Sequence, residues 1–286
     1  MKKADKKLIS FYSSEPNQGL KTLSLSFANR LAADNYRVLY VELNTRSKGF
    51  AQSMQINTEK QNINEYFLEA LKGNFSIDKF VITKSMLLEE SSKKDRDIFL
   101  ELEDNLDYLV LPMNVEDDTE PSLIGDNGEE FDSQVIEYVD GILDTLRNTE
   151  YDHVVIKLPH DLDHLFTIQT LNTSNLVLSV YMPTSSQVFE QMKFKKFLFE
   201  HNKDLSGKWK DIANMVSTAI PQKIIDETVK DAFVVEYDPE RMGEEWAAKT
   251  DSSSIRERME ELIDTIGINI IRQKHVEKKK LFAGFR

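Results

Sequence analysis

Short, continuous apolar runs alternate along this chain with longer segments in which apolar residues recur every three or four positions. The first pattern predicts strands covered on both faces and the second predicts crossover helices. Strands are expected over residues 8–12, 37–42, 106–111, 153–158, 176–181, 212–216 and 233–236. Helices are expected over 19–34, 63–71, 133–148, 187–201, 222–229 and 252–266. Leu23, Phe27, Ala28 and Leu31 give the first helix an inward stripe. Strand and helix in alternation predict an α/β fold, a doubly wound, mostly parallel sheet flanked by helices.

Two stretches break the rhythm. Residues 114–132 contain Glu116-Asp117-Asp118-Thr119-Glu120-Pro121 and Gly125-Asp126-Asn127-Gly128-Glu129-Glu130, so they read as a long exposed loop. Residues 272–286 are the reverse case: Lys and Arg far outnumber the single acid, Glu277, and Leu281, Phe282 and Phe285 lie near the end. No repeat and no linker divides the rest. The expected organisation is one α/β domain over residues 1–270 and a basic, flexible tail over 271–286.

Composition narrows the function classes. With 286 residues, 40% hydrophobic and 30% charged, the chain can bury a full core, and disorder is excluded as its main state. Thirty-six Lys and Arg against 49 Asp and Glu leave a net charge of −13, which repels phosphate polymers, so no nucleic-acid partner is expected. The absence of cysteine removes disulfides, thiolate zinc sites and a cysteine nucleophile. The five His residues are 153, 160, 164, 201 and 275. Only His160 and His164 have helical i, i+4 spacing, but they follow Pro159, so surface roles and no metal site are expected. No apolar run approaches the roughly 18 residues of a membrane span, and Met1-Lys2-Lys3-Ala4-Asp5 leads into the first strand without a leader-like apolar stretch. A soluble, cytoplasmic protein is the expectation.

The first strand runs through Ser13-Ser14-Glu15-Pro16-Asn17-Gln18-Gly19-Leu20-Lys21-Thr22 into the first helix. A strand, a polar turn and a helix N-terminus in that order form a phosphate-sized nest of backbone N–H groups. Residues 13–44 resemble, without a gap, the opening strand-loop-helix-strand of the ParA/MinD superfamily of P-loop ATPases, including the bacterial tyrosine-kinase branch with its SxEPGEGKST loop. Tyr151-Asp152-His153-Val154-Val155-Ile156-Lys157-Leu158-Pro159 resembles the YDxVVIDxP strand of that family, and residues 176–186 resemble its ADxVLLVxxPT strand. Val235-Glu236-Tyr237-Asp238-Pro239 resembles its IPYDP turn.

The resemblance implies a lysine on the β and γ phosphates, a Ser or Thr on magnesium, and acids at neighbouring strand ends. In the gap-free register Leu20 stands at the lysine position and Lys21 at the Ser/Thr position. Glu15, Pro16, Asn17 and Gln18 occupy the region of the family's signature lysine, Glu42 and Asn44 replace the acids after the second strand, and Lys157 replaces the strand-end Asp. A slipped register makes Lys21 the phosphate lysine and Thr22 the magnesium ligand. It needs a deletion and a compensating insertion, rotates the buried helix face by about 100°, and leaves Asn44 and Lys157 unexplained. Magnesium-dependent hydrolysis is expected in neither register.

Gln18, Gly19, Leu20, Lys21 and Thr22, together with Lys157, are therefore the candidate residues of a vestigial phosphate loop, with no catalytic residue and no metal ligand. The turn is either a solvated connection or a remnant nucleotide or anion pocket. Lys157 is either an exposed strand-end charge, the favoured reading, or a positive charge standing where magnesium would sit. No cofactor is assigned, weak ATP or ADP binding being the alternative. Tyrosines are dispersed, without the terminal cluster of the tyrosine-kinase branch. The resemblance then implies a ParA/MinD-like scaffold or positioning factor without ATPase activity, with protein partners in a membrane-associated machine such as a pilus or secretion system. Atypical loops of this kind also occur in the TadZ/CpaE group, whose receiver-like N-terminal domain is absent from this chain. The alternative is an atypical ATPase that uses Lys21 and Thr22 to drive dimerisation or a membrane cycle. Any homodimer is expected to be nucleotide-independent, and the basic tail, which resembles the membrane-targeting end of MinD, to offer at most weak contact at the inner membrane face.

Overall fold

The computed structural model describes residues 7–43, 49–113, 129–221, 223, 224, 227, 231–249 and 252–270. Seven strands form one sheet: β1 (Leu8–Tyr12), β2 (Val38–Glu42), β3 (Leu106–Leu109), β4 (His153–Lys157), β5 (Leu176–Tyr181), β6 (Trp209–Val216) and β7 (Phe233–Glu236). Their spatial order is β3-β2-β4-β1-β5-β6-β7, and every neighbouring pair is parallel. Every residue of β1, β2, β4 and β5 is buried, as the continuous apolar runs require of strands with both faces covered.

The helices are α1 (Leu20–Ala33), α2 (Gly49–Met54), α3 (Ile63–Ala70), α4 (Lys84–Glu90), α5 (Lys93–Leu100), α6 (Glu129–Asn148), α7 (Thr167–Thr173), α8 (Ser185–His201), α9 (Arg241–Trp246) and α10 (Ser253–Thr265). They divide between the two sheet faces. Ile9 and Phe11 of β1 join Phe27 and Leu31 of α1 and Met259 and Leu262 of α10 in one core. Leu8 and Tyr12 join Phe67, Ile142 and Phe166 in the other, because successive strand side chains point to opposite faces.

Several boundaries differ from expectation for local reasons. The α1 stripe widens to burial of every residue from Leu23 to Ala32, since α10 covers the far side of the helix and Glu260 pairs with Arg30 at 3.3 Å. β3 ends at Leu109, and the Val110 carbonyl instead accepts from the Ile63 N–H at 3.1 Å, outside the ladder. β6 starts at Trp209, three residues early, because Lys210 and Asp211 are drawn into pairing by β5 despite their polarity. α6 starts at Glu129, so the expected acidic loop is shorter at its C-terminal end. Residues 114–128 of that loop, most of the helix expected over 222–229, and the tail over 271–286 lie outside the described residues. Among the described residues, no helix is long and apolar enough to cross a membrane.

Candidate functional site at the carboxyl ends of β1, β2 and β4

The turn after β1 is clamped rather than simply solvated. Ser13 and Gln18 are buried, and within the turn only Glu15, Pro16 and Asn17 are exposed. The Gln18 side chain accepts from the Met182 N–H at 2.6 Å and donates to the Pro16 carbonyl at 3.1 Å. Its own carbonyl accepts from Asn214 Nδ2 at 2.8 Å. These bonds tie the loop to the ends of β5 and β6. Gly19 then caps α1 at φ 80°, in the left-handed region, and a Cβ there would lie 2.3 Å from Asn214 Nδ2. Both the dihedral and the close approach select glycine.

Leu20 opens the helix immediately after this glycine and packs against the core. Lys21 reaches across to two other helices. Its Nζ donates to Ser53 Oγ at 2.7 Å and to the Gly49 carbonyl at 3.4 Å on α2, and it forms an ion pair with Glu245 on α9. Burial pushes the Glu245 carboxyl up, but the bonds from Lys21 and Ser53 outweigh this, so it sits below its ordinary range.

Lys157 is buried, which corrects its favoured reading as an exposed charge. The parallel register sets Glu42 of β2 beside Lys157 of β4, and their side chains meet with Nζ 3.4 Å from Oε1, at 8% and 1% exposure. Enclosing an ammonium is costly unless a carboxylate faces it, as Glu42 does here. Glu42 is held on its other sides: Tyr40 OH donates to Oε1 at 3.1 Å, and the Phe50 N–H donates to Oε2 at 3.4 Å. Burial first, and then the neighbouring Glu42, raise the Tyr40 hydroxyl well above its ordinary pKa, which keeps it a donor.

Gly19, Leu20, Lys21, Thr22 and Lys157 line one open cavity of about 520 Å³, within the usual range for small-molecule sites of about 300–1,000 Å³. Five of the six residues expected from the sequence therefore meet there, while Gln18 is spent on bracing the loop. Asn44 lies outside the described residues. No periodicity or motif marks Asn214, Ser53 or Glu245. His164 is buried at the cavity wall rather than on the surface, and the half-exposed His160 ring lies 3.3 Å from Asp161.

Two fit tests follow from this geometry. Magnesium needs carboxylate oxygens free to bind it, but both Glu42 oxygens are engaged and an ammonium adjoins them. Among the described residues, no cluster of three or more His, Cys, Asp or Glu that could hold a metal occurs. The residues do not fit the cation. For a polyphosphate, Lys21 and Lys157 supply positive charge, but each already faces a carboxylate, and Glu15 and Asp161 also line the wall.

No protein-family model matches the chain, and no curated protein matches it. Solved structures match it in fold. A plasmid partition protein of Borrelia burgdorferi bound to AMPPNP aligns over 91% of this chain and 99% of its own, with TM-score 0.63 and 18% identity. A chain of the MinC:MinD cell division protein complex from Aquifex aeolicus aligns over 94% of this chain and 98% of its own, with TM-score 0.61 and 15% identity. The septum site-determining protein MinD of Pyrococcus horikoshii, complexed with Mg-ADP, aligns over 92% and 98%, with TM-score 0.58 and 14% identity. The chain thus has the fold of ParA/MinD-type P-loop ATPases.

Proposed function

We propose that this chain is a non-hydrolysing protein on the ParA/MinD-type fold, acting as a scaffold or positioning factor for a membrane-associated assembly of the pilus or secretion class. One observation carries the proposal: the ends of β2 and β4 hold a closed Glu42–Lys157 ion pair where hydrolysis needs acids facing a metal ion and water. Electrostatic groups of this kind are each worth about 10²-fold or more in rate, so exchanging one for a cation is disabling. Leu20, an apolar residue, begins the helix where the phosphate lysine is needed. The names of the solved neighbours, plasmid partition and septum-site determination, speak of placing other structures in the cell, which suits a positioning role.

In this reading, protein partners and any homodimer form without nucleotide, and the tail over 271–286 contributes weak contact with an anionic membrane. ATP turnover of the purified protein with magnesium is expected at background, and its mass by light scattering is expected to be the same with and without ATP. Magnesium-dependent turnover that disappears in Lys21→Ala sinks the proposal. That result favours the second reading, an atypical ATPase using Lys21 and Thr22, for which the placement of both residues on the cavity wall speaks. Cosedimentation with anionic liposomes, comparing the full chain with one ending at Gln273, tests the tail: equal pelleting removes it from the mechanism.

A further inference from the structure

We infer that the outer face of α8 is a docking surface for a second copy of this chain, met in an antiparallel helix pair about a twofold axis near Lys193. The inference names the surface of the homodimer in the proposed function, and rests on that reading only for its independence of nucleotide. α8 is apolar on two opposite sides. On the inner side, Phe194, Leu198 and Phe199 pack into the core, and Gln191 donates to Ser179 Oγ at 2.7 Å. On the outer side, Phe189, Met192 and Phe197 are 57%, 65% and 52% exposed. With Lys193 and Lys196 they fall at i, i+3, i+4, i+7 and i+8, the spacing of a single helix face. Exposed apolar residues scattered singly are ordinary, but a helix that is apolar all round is suited to being covered on both sides.

Charge decides what covers it. The exposed charges along this face are Glu190, Lys193, Lys196 and Glu200, two of each sign, on a chain of net charge −13. Two copies repel each other through their average surface, but not through this one. An anionic leaflet finds no net positive charge here to hold. The order of the residues is also self-complementary. In an antiparallel pair centred on residue 193, positions equidistant from that centre stand level, so Phe189 meets Phe197 of the second copy and Glu190 meets its Lys196. Lys193 stands near the axis, but its Nζ lies 4.4 Å from the Phe189 ring centroid and 3.2 Å from Glu190 Oε1, which turns the ammonium along its own helix. A contact confined to one helix pair falls below the roughly 1,200 Å² at which stable interfaces begin, so the dimer is a reversible one.

Sedimentation equilibrium of the full chain over a dilution series, with and without ATP, is the test. The wild type is expected to pass from one chain to two as concentration rises, with the same constant in both conditions. Met192→Glu, at an exposed position, is expected to keep the wild-type circular dichroism and Tm and to self-associate about 100-fold or more weakly, because it sets two unpaired carboxylates near the axis. Glu190→Lys and Lys196→Glu each place like charges level with one another, and each alone is expected to stay monomeric. Mixed in equal amounts, they restore both opposite-sign contacts and are expected to form a heterodimer, a recovery that non-specific stickiness does not give.

A wild type of one-chain mass at every concentration overturns the inference, as does a dimer that survives Met192→Glu or a mixture of the two charge variants that stays monomeric. Pelleting with anionic liposomes that Met192→Glu abolishes, by a wild type that is monomeric in solution, overturns it too and gives the face to lipid. ATP turnover by a chain that dimerises through α8 in both conditions would instead defeat the proposed function and leave this inference in place.

Discussion

Two ion pairs, whose lysines line one cavity, differ in almost everything that sets their worth. Glu42–Lys157 joins two strand ends in the core, at 1% and 8% exposure, with Tyr40 and the Phe50 N–H as the carboxylate's other hydrogen-bond partners among the described residues. Lys21–Glu245 joins two helices at the rim, at 24% and 38% exposure. Water can replace either partner of the rim pair. Nothing replaces a partner of the core pair, because desolvating a lone charge costs more than any single contact returns. The comparison teaches that charge at one site can stand in two relations to the fold: the core pair closes the edge of the sheet, and the rim pair follows from how α9 lies against α1 and α2.

The sharpest way to break the comparison is Lys157→Met, which keeps the side-chain bulk and strands the Glu42 charge. A loss of about 3–5 kcal/mol is expected in urea unfolding, largely recovered when Glu42→Gln is added. Equal losses in the single and double variants would show that the pair is not coupled. Tyr40→Phe removes one donor to the same carboxylate, and about 1–3 kcal/mol is expected from the same measurement. Its cost should shrink in the Glu42→Gln background.

Gly19→Ala tests the loop that lies between the two pairs. The left-handed backbone alone costs a non-glycine residue about 1–2 kcal/mol, and the new Cβ must also displace Asn214 from the Gln18 carbonyl. A neutral result would mean that the loop is not held as described. Glu245→Gln is expected to change stability by less than about 1 kcal/mol, as half-exposed pairs do, and less still at high salt.

The smallest effect is the pH dependence of that rim pair. The folded pKa of Glu245 lies below its unfolded value of about 4.3, so its contribution is complete above that value and is lost as pH falls through the folded one. The stability difference between wild type and Glu245→Gln should therefore be flat from neutral pH to about pH 5 and close below about pH 4. A difference that instead grows on acidification would reverse the assignment.

Much of the architecture is legible in the pattern of residues. The fully buried strands β1, β2, β4 and β5 announce themselves as unbroken apolar runs, and Leu23, Phe27, Ala28 and Leu31 mark the covered face of α1. Short helices such as α2, α7 and α9 escape notice because six or seven residues barely span two turns and carry no full period. The polar start of β6 escapes for a related reason. Trp209, Lys210 and Asp211 become strand only because β5 offers them a ladder, while Gln191, Lys195 and the Trp209 ring itself bond to Asp211.

The candidate site divides along the same line. Chain order alone places Gln18 to Thr22 where the turn after a strand enters a helix, and residue type alone shows that Leu20 and Lys157 depart from what hydrolysis requires. Both are local properties, readable without knowing what lies across the sheet. Whether Lys157 is a solvated charge or a buried one depends on which residue stands beside it, 115 positions away along the chain by subtraction of 42 from 157. The tertiary register of β2 against β4 decides that, just as the docking of α9 decides that Lys21 faces Glu245. Burial and pairing are relations between distant segments, and a charged side chain takes its meaning from them, because its free energy depends on the water it loses and the partner it gains.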